Sequence, residues 1–223
     1  MLPLFREYRR RFTVLVMMAY ILLICLCTIY IVRWQPRMEA SLLVHQQLQE
    51  QGQERWFVSL IQEAECFPIR GPLFQYGGGV RKLPWAFENG YGEGRSYGGA
   101  RKHEGIDIMS VSGKCGELKV QSVSDGVVEQ LGWLELGGYR VGIRSDSGLY
   151  FYYAHLDAYA AGLQKGDRVQ AGTLLGYMGD TGYGSEGTRG KFPVHLHFGI
   201  YYNEGDVEKS LNPYSLLLLL GNF

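Results

Sequence analysis

Four of the five histidines fall in short apolar runs, each with a second group able to bind a metal or move a proton. The first run is His103-Glu104-Gly105-Ile106-Asp107-Ile108. Successive side chains of a strand point to opposite faces, so His103, Gly105 and Asp107 are expected on one face and Ile106 and Ile108 toward the core. Gly105 leaves space between the two polar groups. In Val194-His195-Leu196-His197-Phe198 the same rule places His195 and His197 together, with Leu196 and Phe198 packed behind. In the run that ends Tyr153-Ala154-His155, Tyr153 and His155 share a face. Zinc accepts imidazole nitrogen and carboxylate oxygen, and a catalytic zinc keeps three protein ligands and one open position. His103, Asp107 and one of His195 and His197 supply three. The two remaining histidines are then free to move protons, a task suited to an intrinsic pKa of about 6.5.

Each piece has a plainer reading when taken singly. HxxxD is commonly an ion pair or a capped turn, HxH an exposed strand face, and His155 a satisfied histidine at a strand end. Tyr153 could assist an oxyanion or simply pack. Metal chemistry is the reading of the set, in this order and on strands. His45 stands apart in a polar helical stretch and reads as an exposed helix residue. Other chemistries lack their residues. A phosphate loop ending at Lys191 needs glycine at 185 and Ser or Thr at 192, where the chain has Ser185 and Phe192. Gly92-Glu93-Gly94 lacks the strand–turn–helix setting of a dinucleotide site, and no GxSxG occurs.

The elements that must position these residues lie in the second part of the chain. All 31 glycines come after residue 51. From Gly71 onward, short runs rich in aromatic and β-branched residues are divided by Gly, Asp and Asn. Examples are 127–131, 139–143, 149–155, 174–178 and 194–201. No helical pattern alternates with them, which predicts an all-β body and argues against a parallel α/β sheet. Residues 71–99, with Gly77 to Gly79, read as a loop-rich lead-in. Leu216 to Leu220 is too short to span a membrane and reads as a closing apolar segment.

The front is a different material. Residues 12–32 carry no charge, long enough as a helix to cross ~30 Å of hydrocarbon. Arg6, Arg9, Arg10 and Arg11 precede them, and Arg33 and Arg37 follow. The basic cluster orients the N-terminus to the cytoplasm and the body outside. A cleaved signal would have a shorter apolar core and a small-x-small site, and 31–36 offers none. Residues 38–65, with Leu42, Leu43, Leu48, Phe57, Leu60 and Ile61 at loose helical spacing, predict a helical stalk. Lys+Arg and Asp+Glu are both 22, a balance that argues against a generic nucleic-acid binder. Of the four cysteines, Cys25 and Cys27 lie in the apolar helix, whereas Cys66 and Cys115 lie in the exported part, where pairing stays open.

The sequence resembles the M23 (lysostaphin/LytM-type) zinc metallopeptidases. The matching text is His103-Glu104-Gly105-Ile106-Asp107, Tyr153-Ala154-His155-Leu156, residues 165–172, Met178-Gly179-Asp180-Thr181-Gly182 and His195-Leu196-His197-Phe198. The resemblance implies a compact antiparallel β fold, Zn2+ on His103, Asp107 and His197, and His155 and His195 as catalytic histidines. It implies an endopeptidase acting on peptidoglycan peptides. One departure is the long segment from Gly182 to Pro193, expected to flank the groove and bear on substrate choice. The expected organisation is a cytoplasmic tail (1–11), a transmembrane helix (12–32), a helical stalk (33–65), a Gly-rich lead-in (66–99) and the peptidase domain (100–223). A second reading is a non-hydrolytic LytM-like scaffold, or an activator of a partner cell-wall hydrolase; in either reading the stalk offers a surface for a second copy or an envelope-complex partner. Relatives with such roles lose ligands, and this chain keeps all five residues.

Overall fold

The structure is a computed structural model and describes residues 2–70, 83–97 and 99–221, without the side chains of 2–10, 32–34 and 36. The glycine triplet at 77–79 lies outside the described residues. The chain divides into two compact units, Met1–Ala40 and Ser41–Phe223.

Helix α1 (Leu2–Glu50) occupies the first unit and its last residues belong to the second. Its segment Arg11–Ile31 has a mean hydropathy of 2.7 and is long and apolar enough to cross a membrane. The apolar side chains there are exposed, a surface poorly suited to water. The helix ends where the only glycine of the stalk stands. Gly52 has a positive φ of 65°, its N–H donates to the Gln49 carbonyl at 3.0 Å, and the Gln53 N–H donates to Leu48 at 2.7 Å. That is a Schellman stop, which needs a left-handed residue that glycine adopts without strain.

The second unit buries Val44, Leu48 and Leu60, whereas Leu42 and Leu43 are exposed. Leu48 is buried as expected, and Val44, one turn before it, takes the place of Leu42 and Leu43 in the stripe. A 3-10 turn (Glu54–Trp56) and helix α2 (Phe57–Glu63) follow. Gln47 of α1 donates to the Asn212 carbonyl at 2.7 Å and accepts from the Ser215 hydroxyl at 2.7 Å. This ties α1 to the start of helix α3 (Tyr214–Gly221), the leucine run at the end of the chain, whose leucines are mostly buried.

Between them lies the β body. The strands are β1 (Ile69–Arg70), β2 (Trp85–Phe87), β3 (Gly94–Arg95), β4 (Arg101–Lys102), β5 (Ile106–Ser110), β6 (Lys119–Gln121) and β7 (Gly126–Leu134). They continue with β8 (Gly138–Arg144), β9 (Tyr150–Tyr159), β10 (Arg168–Val169), β11 (Leu174–Met178), β12 (His195–Glu204) and β13 (Val207–Leu211). Every pairing among the described residues is antiparallel. The main sheet runs β1-β6-β11-β9-β12-β5-β2, with β8 also on β9, β7 on β8, and β13 on β12; β3 and β4 form a separate hairpin. The antiparallel β body expected from the sequence is therefore present.

The alternation of the central strands divides the sheet into two chemistries. Ile106 and Ile108, Val141 and Ile143, Phe151 and Tyr153, and Leu196, Phe198 and Ile200 are fully buried. At about 25 cal/mol per Å2 of apolar surface, this face supplies the driving force that fixes strand register. Asp107, Arg140, Tyr152, Ala154, His195 and His197 line a groove on the other side.

Tyr153 belongs to the core and not to the groove. It is 0% exposed, and its hydroxyl accepts the Val123 N–H at 2.8 Å. The sequence option of an oxyanion role is replaced by a structural one. Tyr153→Phe would leave a buried N–H unpaired, costing about 1–3 kcal/mol. Urea denaturation is expected to show that loss, with zinc content unchanged.

Candidate metal centre

Asp107 and His197 are brought together by strand register. β12 pairs with β5 so that His197 faces Asp107 directly, on the same face. His197 Nδ1 lies 3.0 Å from Asp107 Oδ1. The third group arrives by another route. His103 is not on β5, because the chain bends at residues 103–105 and the strand begins only at Ile106. The bend is held by the β3–β4 hairpin and its lead-in: His103 N–H donates to Glu93 at 2.8 Å, and Gly92 N–H to the His103 carbonyl at 2.8 Å. His103 Nε2 then lies 3.0 Å from Asp107 Oδ1 and 2.9 Å from His197 Nδ1.

The role of Gly105 differs from the sequence expectation. A side chain there would reach within 2.6 Å of the Phe198 carbonyl and 2.7 Å of the His197 ring. The space it leaves is filled by the neighbouring strand's histidine.

Three ligand atoms thus form a nearly equilateral triangle. In the neutral tautomer that donates from Nδ1 to the Gly90 carbonyl at 2.9 Å, His103 offers a bare Nε2 to this triangle. Bonds of ~2.0–2.2 Å from one ion to three tetrahedral ligands separate those ligands by a little over 3 Å, so the residues fit a zinc ion. His, Asp and His is also a donor set that zinc accepts. Arg95 stands behind it, donating through Nη2 to Asp107 Oδ2 at 2.9 Å. The same nitrogen lies 2.8 Å from His103 Nδ1, competing with Gly90 for that atom; a metal held at Nε2 would leave the proton on Nδ1 and so favour Gly90.

His155 and His195 lie beside the triangle, each with one nitrogen engaged. His155 Nδ1 is 2.8 Å from the Thr181 carbonyl, and His195 Nδ1 is 2.8 Å from the Pro193 carbonyl. Each Nδ1–H donates, leaving Nε2 as a bare acceptor, and His195 Nε2 is 3.7 Å from Asp107 Oδ1. The expectation that His155 shares a face with Tyr153 is corrected by the backbone. His155 has a φ of 62°, a left-handed conformation that interrupts the alternation and turns the ring to the groove. The two rings are 4.7 Å apart by centroid, and Phe192 packs edgewise on both. The segment 182–193 does flank the groove, through Tyr183, Phe192 and Pro193.

Charge in the centre is set by burial and by these contacts. Burial opposes ionisation of Asp107, but with a proton rather than a metal in the triangle its hydrogen bonds with His103 and His197 outweigh burial and hold the carboxyl well below its ordinary range. Burial lowers His155, His195 and His197 from 6.5, only partly offset by Asp107. On Tyr152 of β9, burial raises the hydroxyl, while the charge of Arg140 pulls it back. Arg95, Tyr152, Arg140, Tyr183 and Phe192 have no motif of their own in the sequence. Tyr152 alone was within reach of the period-two rule, as the neighbour that must face away from Tyr153.

Residues 101–210 match Peptidase family M23 and form a domain of that family. The chain is 44% identical over 133 residues to the L-Ala–D-Glu endopeptidase of Bacillus subtilis, covering 60% of this chain and 40% of the relative. It is 31% identical over 118 residues to glycyl-glycine endopeptidase ALE-1 of Staphylococcus capitis, covering 49% of this chain and 29% of the relative. A crystal structure of a LytM-type protein from Ruminococcus gnavus superposes with a TM-score of 0.65 at 46% identity, covering 74% of this chain and 64% of that one. The chain spans less than half the length of the curated relatives it matches. M23 peptidases are zinc-dependent metalloendopeptidases, and homologues act on peptidoglycan.

The buried histidines set a pH dependence. Their folded pKa values lie below the unfolded 6.5, so at and below that pH the unfolded chain binds more protons. Stability of the metal-free protein should therefore rise with pH up to about neutrality and fall as pH drops below about 6.5, by up to ~1.4 kcal/mol per pH unit for each histidine. Melting temperatures in chelator between pH 5 and 8 check this; a flat profile contradicts it.

Proposed function

We propose that this chain is a membrane-anchored zinc endopeptidase that hydrolyses peptide bonds of peptidoglycan outside the cytoplasm. The observation that carries the reading is the triangle of His103 Nε2, Asp107 Oδ1 and His197 Nδ1, with two bare imidazole nitrogens beside it. His103, Asp107 and His197 hold the ion in this reading, and His155 and His195 are the catalytic histidines. When bound, zinc polarises a carbonyl and lowers the pKa of water to about 7.

The protein's own residues do the rest. Thr181 and Pro193 pin one proton on each ring, so Nε2 of His155 and of His195 faces the groove without a proton. Burial keeps both rings neutral at neutral pH, ready to take a proton from the attacking water. A ring that has become charged can return the proton to the leaving amine. Phe192 and Tyr183 cover His155 and limit water at that side. Asp107 stays ionised and, with its second oxygen held by Arg95, keeps one oxygen for the metal.

Wall peptides as substrate are supported by the relatives' names, one an L-Ala–D-Glu endopeptidase and another a glycyl-glycine endopeptidase. The proposed organisation keeps the sequence boundaries: tail 1–11, membrane helix 12–32, stalk 33–65, lead-in 66–99 and peptidase domain 100–223. The exposed apolar band of α1 and the arginines before it support the anchor.

Two experiments test this reading. His155→Ala is expected to retain one zinc per chain by metal analysis and to lose about 10²–10⁴-fold in hydrolysis of peptidoglycan fragments, followed by mass spectrometry. A variant as fast as the parent removes His155 from the mechanism. For the anchor, the full chain is expected in the membrane fraction after an alkaline carbonate wash, and a chain lacking residues 1–40 in the soluble fraction. A full chain that washes off has no spanning helix.

A further inference from the structure

The groove beside the metal centre has a volume of about 680 Å3 and is lined by several charged residues whose partners differ in an informative way. Arg95 is engaged by Asp107 at 2.9 Å. Glu129 is engaged twice by Arg144, at 2.6 and 2.8 Å. Arg140 is not engaged. Among the described residues no carboxylate forms an ion pair with it, and its Nη1 is buried without a hydrogen-bond partner. Arg101 is the second such cation: it donates to the Tyr183 hydroxyl at 3.2 Å, has no carboxylate partner among the described residues, and leaves its Nε buried and unbonded. Glu104 and Glu208 also line the groove, and neither pairs with Arg140 or Arg101 among the described residues.

A half-buried guanidinium with an orphaned donor is costly, and folded proteins keep such groups paired. The position of Arg140 suggests its missing partner. It sits on β8 between the register pairs Tyr139–Leu156 and Val141–Tyr153, opposite Ala154 and His155 of β9. Ala154 is in turn the cross-strand neighbour of His197, which faces Asp107. Arg140, Ala154, His197 and Asp107 therefore form one row across the sheet. Two strand spacings, ~10 Å, separate the β8 and β12 backbones. In this row β9 contributes only the small methyl group of Ala154, with Tyr152 and His155 lining the groove to either side, so the guanidinium and the metal centre share one groove.

We propose that Arg140, assisted by Arg101, is a carboxylate subsite, and that the peptidase selects peptides with a free carboxylate on the residue next to the scissile bond. A guanidinium takes a carboxylate in paired charge-assisted hydrogen bonds, which a neutral amide cannot match. The inference rests on the peptidase reading and adds the chemistry of the substrate to it. It sets this chain apart from an enzyme that needs only unadorned glycine bonds.

The test uses the full chain in detergent with two synthetic peptides that differ in one group. One carries an acidic residue with a free α-carboxylate beside the scissile bond, and its twin carries the carboxamide. The parent is expected to favour the carboxylate peptide by at least about tenfold in kcat/KM. In Arg140→Gln that ratio is expected to fall below about twofold, and Arg140→Lys to keep an intermediate ratio. Arg168→Gln removes an arginine from the exposed pair with Asp146 and is expected to leave the ratio as in the parent. The melting temperature of Arg140→Gln should not fall, since the native Nη1 has no partner to lose. A parent without preference, or an Arg140→Gln that keeps it, overturns the proposal. Binding of both peptides is measured by calorimetry in parallel. If neither peptide is hydrolysed, the peptidase reading fails, and the binding ratio alone decides the carboxylate subsite.

Discussion

Three lone-pair-bearing atoms held about 3 Å apart are the constraint around which the domain is arranged. Nitrogen and carboxylate oxygen at that spacing repel unless a proton or a cation sits among them. The protein does not relax the repulsion by separating them. Asp107 and His197 are locked by cross-strand register, and that register is fixed on the reverse face by Leu196, Phe198, Ile106 and Ile108, all fully buried. Shifting β12 by one residue would turn His197 into the core and Phe198 into the groove. The apolar face therefore stabilises a polar arrangement that would not assemble by itself.

The surrounding groups act on this triangle in order of distance. Gly90 selects the His103 tautomer, and Arg95 fixes the carboxylate. Thr181 and Pro193 orient the two neighbouring rings. The Gly182–Pro193 segment then closes over them with Tyr183 and Phe192. Tyr97 stacks on Tyr183 at 4.2 Å and donates to its carbonyl at 2.6 Å, joining this segment to the β3–β4 side of the groove. Two loops 86 residues apart meet there, tied by one hydrogen bond and one ring stack.

The free thiols fit the same economy of the fold. Cys66 donates to the Ser122 carbonyl, and Cys115 is exposed beside Asp180, with desolvation and that carboxylate raising it to about 11. Neither is bonded to the other. The domain holds itself together by its sheet and by the α1–α3 contact at Gln47, without a covalent staple.

How much of this is legible in the sequence depends on whether the signal is local. Strand runs such as 174–178 and the β12 motif could be read because a period of two is written within a few residues. The residue types of the metal set could be read because zinc chemistry limits the choice of side chains. The Gly52 helix stop was carried by a residue on view, though the sequence placed a continuous helix across it. Tyr153 and His155 misled the period-two rule because a left-handed φ at His155 is imposed by tertiary contacts, its N–H to Gly137 and its ring to Thr181.

The sequence by itself thus determined which residue types could bind a metal, which runs form strands, and which stretch of α1 is too apolar for water. The tertiary structure decided that His103 comes from a bend, that Gly105 makes room for another strand's ring, and that Arg95 and Arg140 face the same groove. Those outcomes depend on pairing between segments ninety or more residues apart, as in Asp107 with His197 and His103 with His197. Strand register is settled by the summed burial of many side chains, and no local pattern contains that sum.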